Sequence, residues 1–209
     1  MFRLFFSRAA RVTVGALAVG MVSSSAVAGP HTHEGDGVVG VSSLGVLGIE
    51  IGGAPFEVPP VDPLNPFSLS GWLGDEPGFA SLDEDEPDED FFQLAAGAIV
   101  RLEVMGLDPA LKVLDPNAGL ASILPGQSFL LGGAPFDTHP LWFIDAGDAG
   151  FDPLQTVWTG EFRLIDVGST AYAPSETFEI SFTPVPEPAS LGLLGLALAI
   201  GMRRRPVIA

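Results

Sequence analysis

Three histidines are the side chains in this 209-residue sequence whose type and spacing suggest a metal site. His31 and His33 form an H-x-H pair, followed by Glu34 and Asp36. In an extended segment, residues two apart project to the same side, so both imidazoles can reach one ion. His139 sits in Phe136-Asp137-Thr138-His139-Pro140-Leu141-Trp142, two residues after the Asp137 carboxylate. Together His31, His33, Asp137 and His139 offer three nitrogens and one oxygen, a donor set suited to zinc. The alternative is an unstructured N-terminal segment and an unrelated surface histidine. An amino-terminal copper site is excluded: with residues 1–28 removed the chain starts Gly29-Pro30-His31, and Pro30 lacks the amide N–H such a site deprotonates.

Two further segments could hold calcium, which takes oxygen ligands. Asp83 to Asp90 is seven acids and one proline, but it lacks the central glycine of an EF-hand loop, and Pro87 prevents the turn. A solvated, self-repelling loop is its simpler reading. Asp145, Asp148 and Asp152, with Gly147 and Gly150 between them, form either a calcium-binding turn or a glycine-rich turn with solvated acids. Catalytic patterns are missing: no G-x-S-x-G, H-E-x-x-H or Walker loop occurs. The sequence has no cysteine, which removes disulfides, thiolate metal sites and thiol nucleophiles. The expectation is a non-enzymatic protein. Trp72, Trp142 and Trp158 could stack on sugars in a glycan-binding module, or serve core packing.

Charge narrows the partners. The formal net charge is −17, and six of the nine basic residues (Arg3, Arg8, Arg11, Arg203, Arg204, Arg205) lie near the two ends. Between them Arg101, Lys112 and Arg163 face all 26 acids. Such a surface repels phosphate backbones and disfavours nucleic acid. It suits solubility, cation capture, or a calcium-bridged acidic matrix component with no defined site.

Glycine (26) and proline (19) punctuate the chain every few residues and leave short apolar runs between them. Val38 to Leu47, Leu47 to Ile51, Leu111 to Leu114, Ser128 to Leu131, Leu141 to Ile144 and Val157 to Ile165 read as strands. Val100, Leu102 and Val104 alternate with Arg101 and Glu103, and Phe178, Ile180 and Phe182 alternate with Glu179 and Ser181. The expected fold is all-β, an antiparallel β-sandwich or jelly-roll over residues 29–184, flanked by an N-terminal signal helix and a short C-terminal transmembrane helix. Val58 to Pro66 and Asp83 to Asp90 read as unstructured. Gly52-Gly53-Ala54-Pro55-Phe56 recurs as Gly132-Gly133-Ala134-Pro135-Phe136, through duplication or coincidence.

The ends carry addresses. Residues 1–28 combine a basic start, an apolar stretch from Val12 to Val22, and a small-residue run ending Ala26-Val27-Ala28. That is a secretory signal peptide with its A-x-A cleavage site at Ala26 and Ala28, implying the Sec export machinery as a partner. At residues 185–209, Pro186-Glu187-Pro188 precedes an apolar run, Ala189 to Met202, and then Arg203, Arg204 and Arg205. As a helix that run reaches about 21 Å, short of the ~30 Å hydrocarbon core unless flanking residues join it. The arginines would stay cytoplasmic, leaving residues 29–184 outside.

This tail resembles the PEP-CTERM sorting signal. The resemblance implies recognition by an exosortase, cleavage near the motif, transient membrane anchoring, and delivery to the cell envelope or extracellular matrix polymers. His31-x-His33, Phe136-Asp137-x-His139-x-x-Trp142-x-Ile144, Glu161-Phe162-x-Leu164-x-Asp166 and Tyr172-x-x-Ser175-x-x-Phe178 are also similar to the PEP-CTERM family repressed by the zinc-uptake regulator. That second resemblance implies an extracellular, zinc-linked role.

Overall fold

Alternation of apolar and polar side chains produces the longest strands of the computed structural model, which describes residues 35–186. The strands are β1 (Gly37–Val41), β2 (Leu47–Glu50), β3 (Phe56–Val58), β4 (Gly71–Gly74), β5 (Phe79–Ser81), β6 (Ile99–Leu107), β7 (Leu111–Asp115), β8 (Ala121–Ile123), β9 (Ser128–Gly133), β10 (Asp137–Thr138), β11 (Leu141–Asp145), β12 (Trp158–Asp166) and β13 (Phe178–Pro184). Two single 3-10 turns, Pro87–Glu89 and Pro116–Ala118, complete the described residues, which are nearly all β. The expected signal helix and transmembrane helix lie outside them. So do Ala26, Ala28, His31, His33, Glu187, Pro188 and Arg203 to Arg205. Among the described residues no helix is long and apolar enough to cross a membrane.

The strands form three sheets, in the orders β10-β5-β1-β2, β4-β11-β7-β8 and β3-β13-β12-β6-β9. In β6 the side chains of Val100, Leu102 and Val104 are fully buried, while the opposite face carries Glu103 paired across the ladder with Arg163 of β12 at 2.5 Å. One core serves all three sheets: Val39 and Phe79 from the first, Val113, Trp142 and Ile144 from the second, Leu102, Phe162 and Phe182 from the third. Trp142 is central to it. Its ring lies 4.7 Å from that of Phe182 and meets Phe162 edge-on at 5.5 Å. Each such aromatic pair adds about 0.5–1.5 kcal/mol beyond the burial itself.

Pairing is not antiparallel throughout. β1 runs parallel to β5, and β13 runs parallel to β3. Parallel neighbours need long connections rather than hairpins, so turn signals give no hint of them. The same pairing corrects the reading of Val58 to Pro66 as unstructured: Val58 is fully buried in β3, and Pro60 bridges to Trp72. The acidic segment 83–90 is exposed as expected but is not irregular. It contains the turn Pro87–Glu89, closed by the bridge between Glu86 and Phe91. The two Gly-Gly-Ala-Pro-Phe copies have unlike surroundings. Phe56 opens β3 in the third sheet, whereas Gly132 and Gly133 end β9 and buried Phe136 leads into β10 of the first sheet. Duplication gains no support from the fold.

Candidate metal centre

Strand register brings together residues that are far apart in sequence. β10 pairs with β5 so that Thr138 faces Phe79, which puts His139, the next residue, opposite Gly78. On the other side of β5, Gly37 pairs with Phe79, and Asp36 therefore lies beside Gly78 too. The turn before β5 supplies Glu76. Its neighbour Pro77 is anchored to the core, because the Trp142 indole Nε1 donates to the Pro77 carbonyl at 3.0 Å. The Gly78 N–H is shared by two acids, Asp36 Oδ1 at 3.1 Å and Glu76 Oε2 at 3.2 Å.

Ligand atoms of Asp36, Glu76 and His139 all lie within 4.8 Å of one another. Asp36 is 8% exposed, so its carboxylate is largely withdrawn from water. Both nitrogens of His139 face oxygen. Nδ1 lies 3.0 Å from the Asp75 carbonyl, and Nε2 lies 3.2 Å from Asp137 Oδ1. A carbonyl only accepts, so Nδ1 carries the hydrogen. In the neutral ring Nε2 would then aim a lone pair at a carboxylate. Either a second proton or a cation resolves that conflict.

The charges agree. Burial opposes the imidazolium, but the Asp75 carbonyl and the Asp36, Glu76 and Asp137 carboxylates outweigh it and hold the His139 pKa above its usual 6.5. Glu76 is pushed above 4.5, first by burial and then by the negative charge of Asp36, against a partial offset from the Gly78 N–H and His139. Of the carboxylates around the ring, those of Asp36 and Glu76 converge with a ligand atom of His139 within 4.8 Å, a donor set that fits a divalent cation of borderline softness, while Asp137 faces the ring at Nε2. Fixing Nδ1 through a backbone carbonyl is the usual way a ligating histidine is oriented. Gly78 forms the floor: a Cβ there would stand 2.3 Å from His139 Cε1.

Of the expected zinc ligands, Asp137 and His139 are together, and His31 and His33 lie outside the described residues. Asp36 is three residues after His33, a separation of at most about 11 Å along the chain. Asp36 and Glu76 are additions. Asp36 is visible in the sequence only as an acid following the H-x-H pair, and Glu76 carries no local signal, because non-local pairing delivers it.

The other acid clusters look different. Asp145, Asp148 and Asp152 each accept a backbone N–H two residues ahead, from Gly147, Gly150 and Leu154, all at 2.9 Å. Lys112 Nζ stands 2.5 Å from Asp145 and 3.2 Å from Asp148, where a calcium ion would have to sit. This is the glycine-rich turn rather than the calcium turn. Glu50, Glu86 and Glu89 converge within 4.8 Å, but all three are exposed. Trp142 and Trp158 are buried in the core, which removes two of the three candidate sugar faces.

The chain leaves the β structure at Val185. Its N–H donates to the Val58 carbonyl at 2.9 Å, and its carbonyl accepts the Trp72 indole at 3.0 Å. Pro186 follows at once. A family profile described as the PEP-CTERM protein-sorting motif matches residues 184–205. The chain carries a PEP-CTERM sorting motif. That motif is the mark of exported proteins recognised by an exosortase and sorted at the membrane to the outside. No curated protein and no solved structure matches the chain. The PEP-CTERM match covers the exit strand's last residue and the tail.

Proposed function

We propose that the protein is a non-enzymatic envelope or extracellular-matrix component that holds a zinc ion at the Asp36–Glu76–Asp137–His139 cluster. In this reading residues 1–28 are a cleaved signal peptide, the three sheets form a sandwich-like exported body, and residues 185–209 are the exosortase signal. The metal assignment is supported by one observation: ligand atoms of Asp36, Glu76 and His139 converge within 4.8 Å around a ring whose Nδ1 is held by a backbone carbonyl. His33 and His31 are close enough in sequence to Asp36 to add nitrogen donors and favour zinc over calcium.

A second reading is a calcium-bridged matrix component, favoured by the exposed Glu50, Glu86 and Glu89 group and the acidic run beside it. Metal content separates the two. Protein recovered from its native host should contain about one zinc per chain, lost in His139→Ala and Glu76→Gln but kept when the exposed acids of 83–90 are neutralised. Calcium retained through those changes, with no zinc, would overturn the proposal. Mass spectrometry of the same material should show an N-terminus at Gly29 and loss of residues after 186–188; intact Arg203 to Arg205 would count against the sorting reading.

A further inference from the structure

The loops beside the chain exit are built alike. Asp62-Pro63-Leu64-Asn65 and Asp152-Pro153-Leu154-Gln155 repeat the order Asp-Pro-Leu-amide. In each the aspartate Oδ1 accepts the leucine N–H, at 2.8 Å from Leu64 and 2.9 Å from Leu154. In each the aspartate carbonyl also accepts the amide residue's N–H, at 2.9 Å from Asn65 and 3.1 Å from Gln155. The result is a capped turn that holds an apolar side chain out into water: Leu64 is 90% exposed and Leu154 is 87% exposed. Phe67 and Val157 on the same loops are exposed as well. Isolated exposed leucines are ordinary, but a matched pair on fixed turns is less so.

Both loops flank Val185. The loop 61–70 closes where the Val61 N–H donates to Gly71, next to Trp72, whose indole holds Val185. Phe151 stacks on Trp72 with centroids 6.0 Å apart, and Thr183 of the exit strand donates to the Thr156 carbonyl at 3.0 Å. The Ala146 N–H donates to Ser70, which joins the bases of the two loops. From Val185 to Ala189, where the apolar run begins, is four residue steps, at most about 14 Å. With that run in the bilayer, the exit end of the protein is held at the lipid surface.

We infer that Leu64, Phe67, Leu154 and Val157 form a membrane-docking rim that seats this end of the protein on the bilayer while the sorting tail is inserted. The inference rests on the reading of 189–202 as the inserted segment. An apolar contact suits this protein because its net charge of −17 rules out attraction to anionic lipid headgroups. The loop 61–70 contributes one acid, Asp62, and the loop 146–157 contributes Asp148 and Asp152; Asp148 is paired with Lys112 at 3.2 Å, and one oxygen each of Asp62 and Asp152 is occupied by its own turn. Half-buried Trp72 between the loops is the residue type that prefers the interfacial zone. Seated this way, Pro186 is presented to a membrane protease at the water–lipid boundary.

The sequence has no cysteine, so single labels are clean. Full-length Leu64→Cys, Leu154→Cys, Leu44→Cys and Leu194→Cys variants would carry an environment-sensitive fluorophore in phosphatidylethanolamine–phosphatidylglycerol vesicles doped with brominated lipid. Leu44 is the control, equally exposed on the β1–β2 hairpin at 86%. Labels at 64, 154 and 194 should shift to the blue and be quenched by the brominated lipid, while the label at 44 stays aqueous. Aqueous labels at 64 and 154 with a lipid-quenched label at 194 would overturn docking and leave insertion standing. An aqueous label at 194 would overturn both. Equal quenching at 44, 64 and 154 would also overturn the rim, because the contact would not be site-specific.

Discussion

His139 Nε2 stands 3.2 Å from an oxygen of Asp137, two residues earlier on the same short strand end. With Nδ1 committed to the Asp75 carbonyl, that approach demands a cation or a proton on Nε2. The two compete. Because the His139 pKa is held above 6.5, proton competition for zinc begins on the alkaline side of the ordinary histidine range. Zinc affinity measured by competition with a chromophoric chelator should already be weakening with falling pH above 6.5, with a loss near tenfold per unit once the ring is protonated. Affinity flat between pH 8 and 6 would remove His139 from the site.

The floor of the site gives a test that leaves every ligand in place. A methyl group at residue 78 would overlap the His139 ring, whose two nitrogens are already fixed. Gly78→Ala should cost zinc affinity at least about tenfold, the scale seen when groups that orient a ligand are disturbed. Its β-type circular dichroism should persist. Unchanged affinity would show that the ring is not where the metal binds.

Stability should depend on pH with opposite signs in the two metal states. His139 has a raised pKa in the folded protein, so without metal its contribution is complete below 6.5 and is lost as pH rises through the folded value. Raised Glu76 acts in the same direction from 4.5 upward. Zinc binds the neutral ring, so with zinc in excess stability should increase over the same interval. Comparing thermal midpoints of wild type and His139→Gln, with zinc and with a chelator, isolates the effect. Parallel profiles in the two states would contradict it.

Away from the site, Asp166 ties four donors: the N–H groups of Ile99 at 3.1 Å, Gly168 at 2.8 Å and Tyr172 at 3.2 Å, and the Thr170 hydroxyl at 2.6 Å. Burial opposes its ionisation, but those hydrogen bonds prevail and hold its pKa below 3.8. Its contribution is therefore present above 3.8 and lost as pH falls through the lower folded value. Asp166→Asn keeps the shape and loses the charge-assisted bonds; about 2 kcal/mol of destabilisation in denaturant unfolding is expected at pH 7.

Legibility in the sequence followed the range of the interaction. The alternations at 100–104 and 178–182 announce β6 and β13, because a strand with one buried face writes its period into neighbouring residues. Strands β3, β4, β5, β8 and β10 have two to four residues each, too few to show a period, and β3 and β5 owe their place to parallel partners far along the chain. The site divides in the same way. Asp137 and His139 are near neighbours and readable as a pair. Asp36 and Glu76 join them because β1, β5 and β10 share a sheet, a relationship no local spacing encodes.

Among the described residues, the final hydrogen bond of the third sheet's edge joins Val185 to Val58, one position before Pro186. The described ladder thus runs into the first residues of the sorting motif, Pro184 and Val185, and stops before Glu187. Scission after Pro186 would take away no rung of the ladder and no part of the core among the described residues. If the motif is cut there, every strand pairing described above stays with the released piece, so its thermal midpoint would be the same before and after processing.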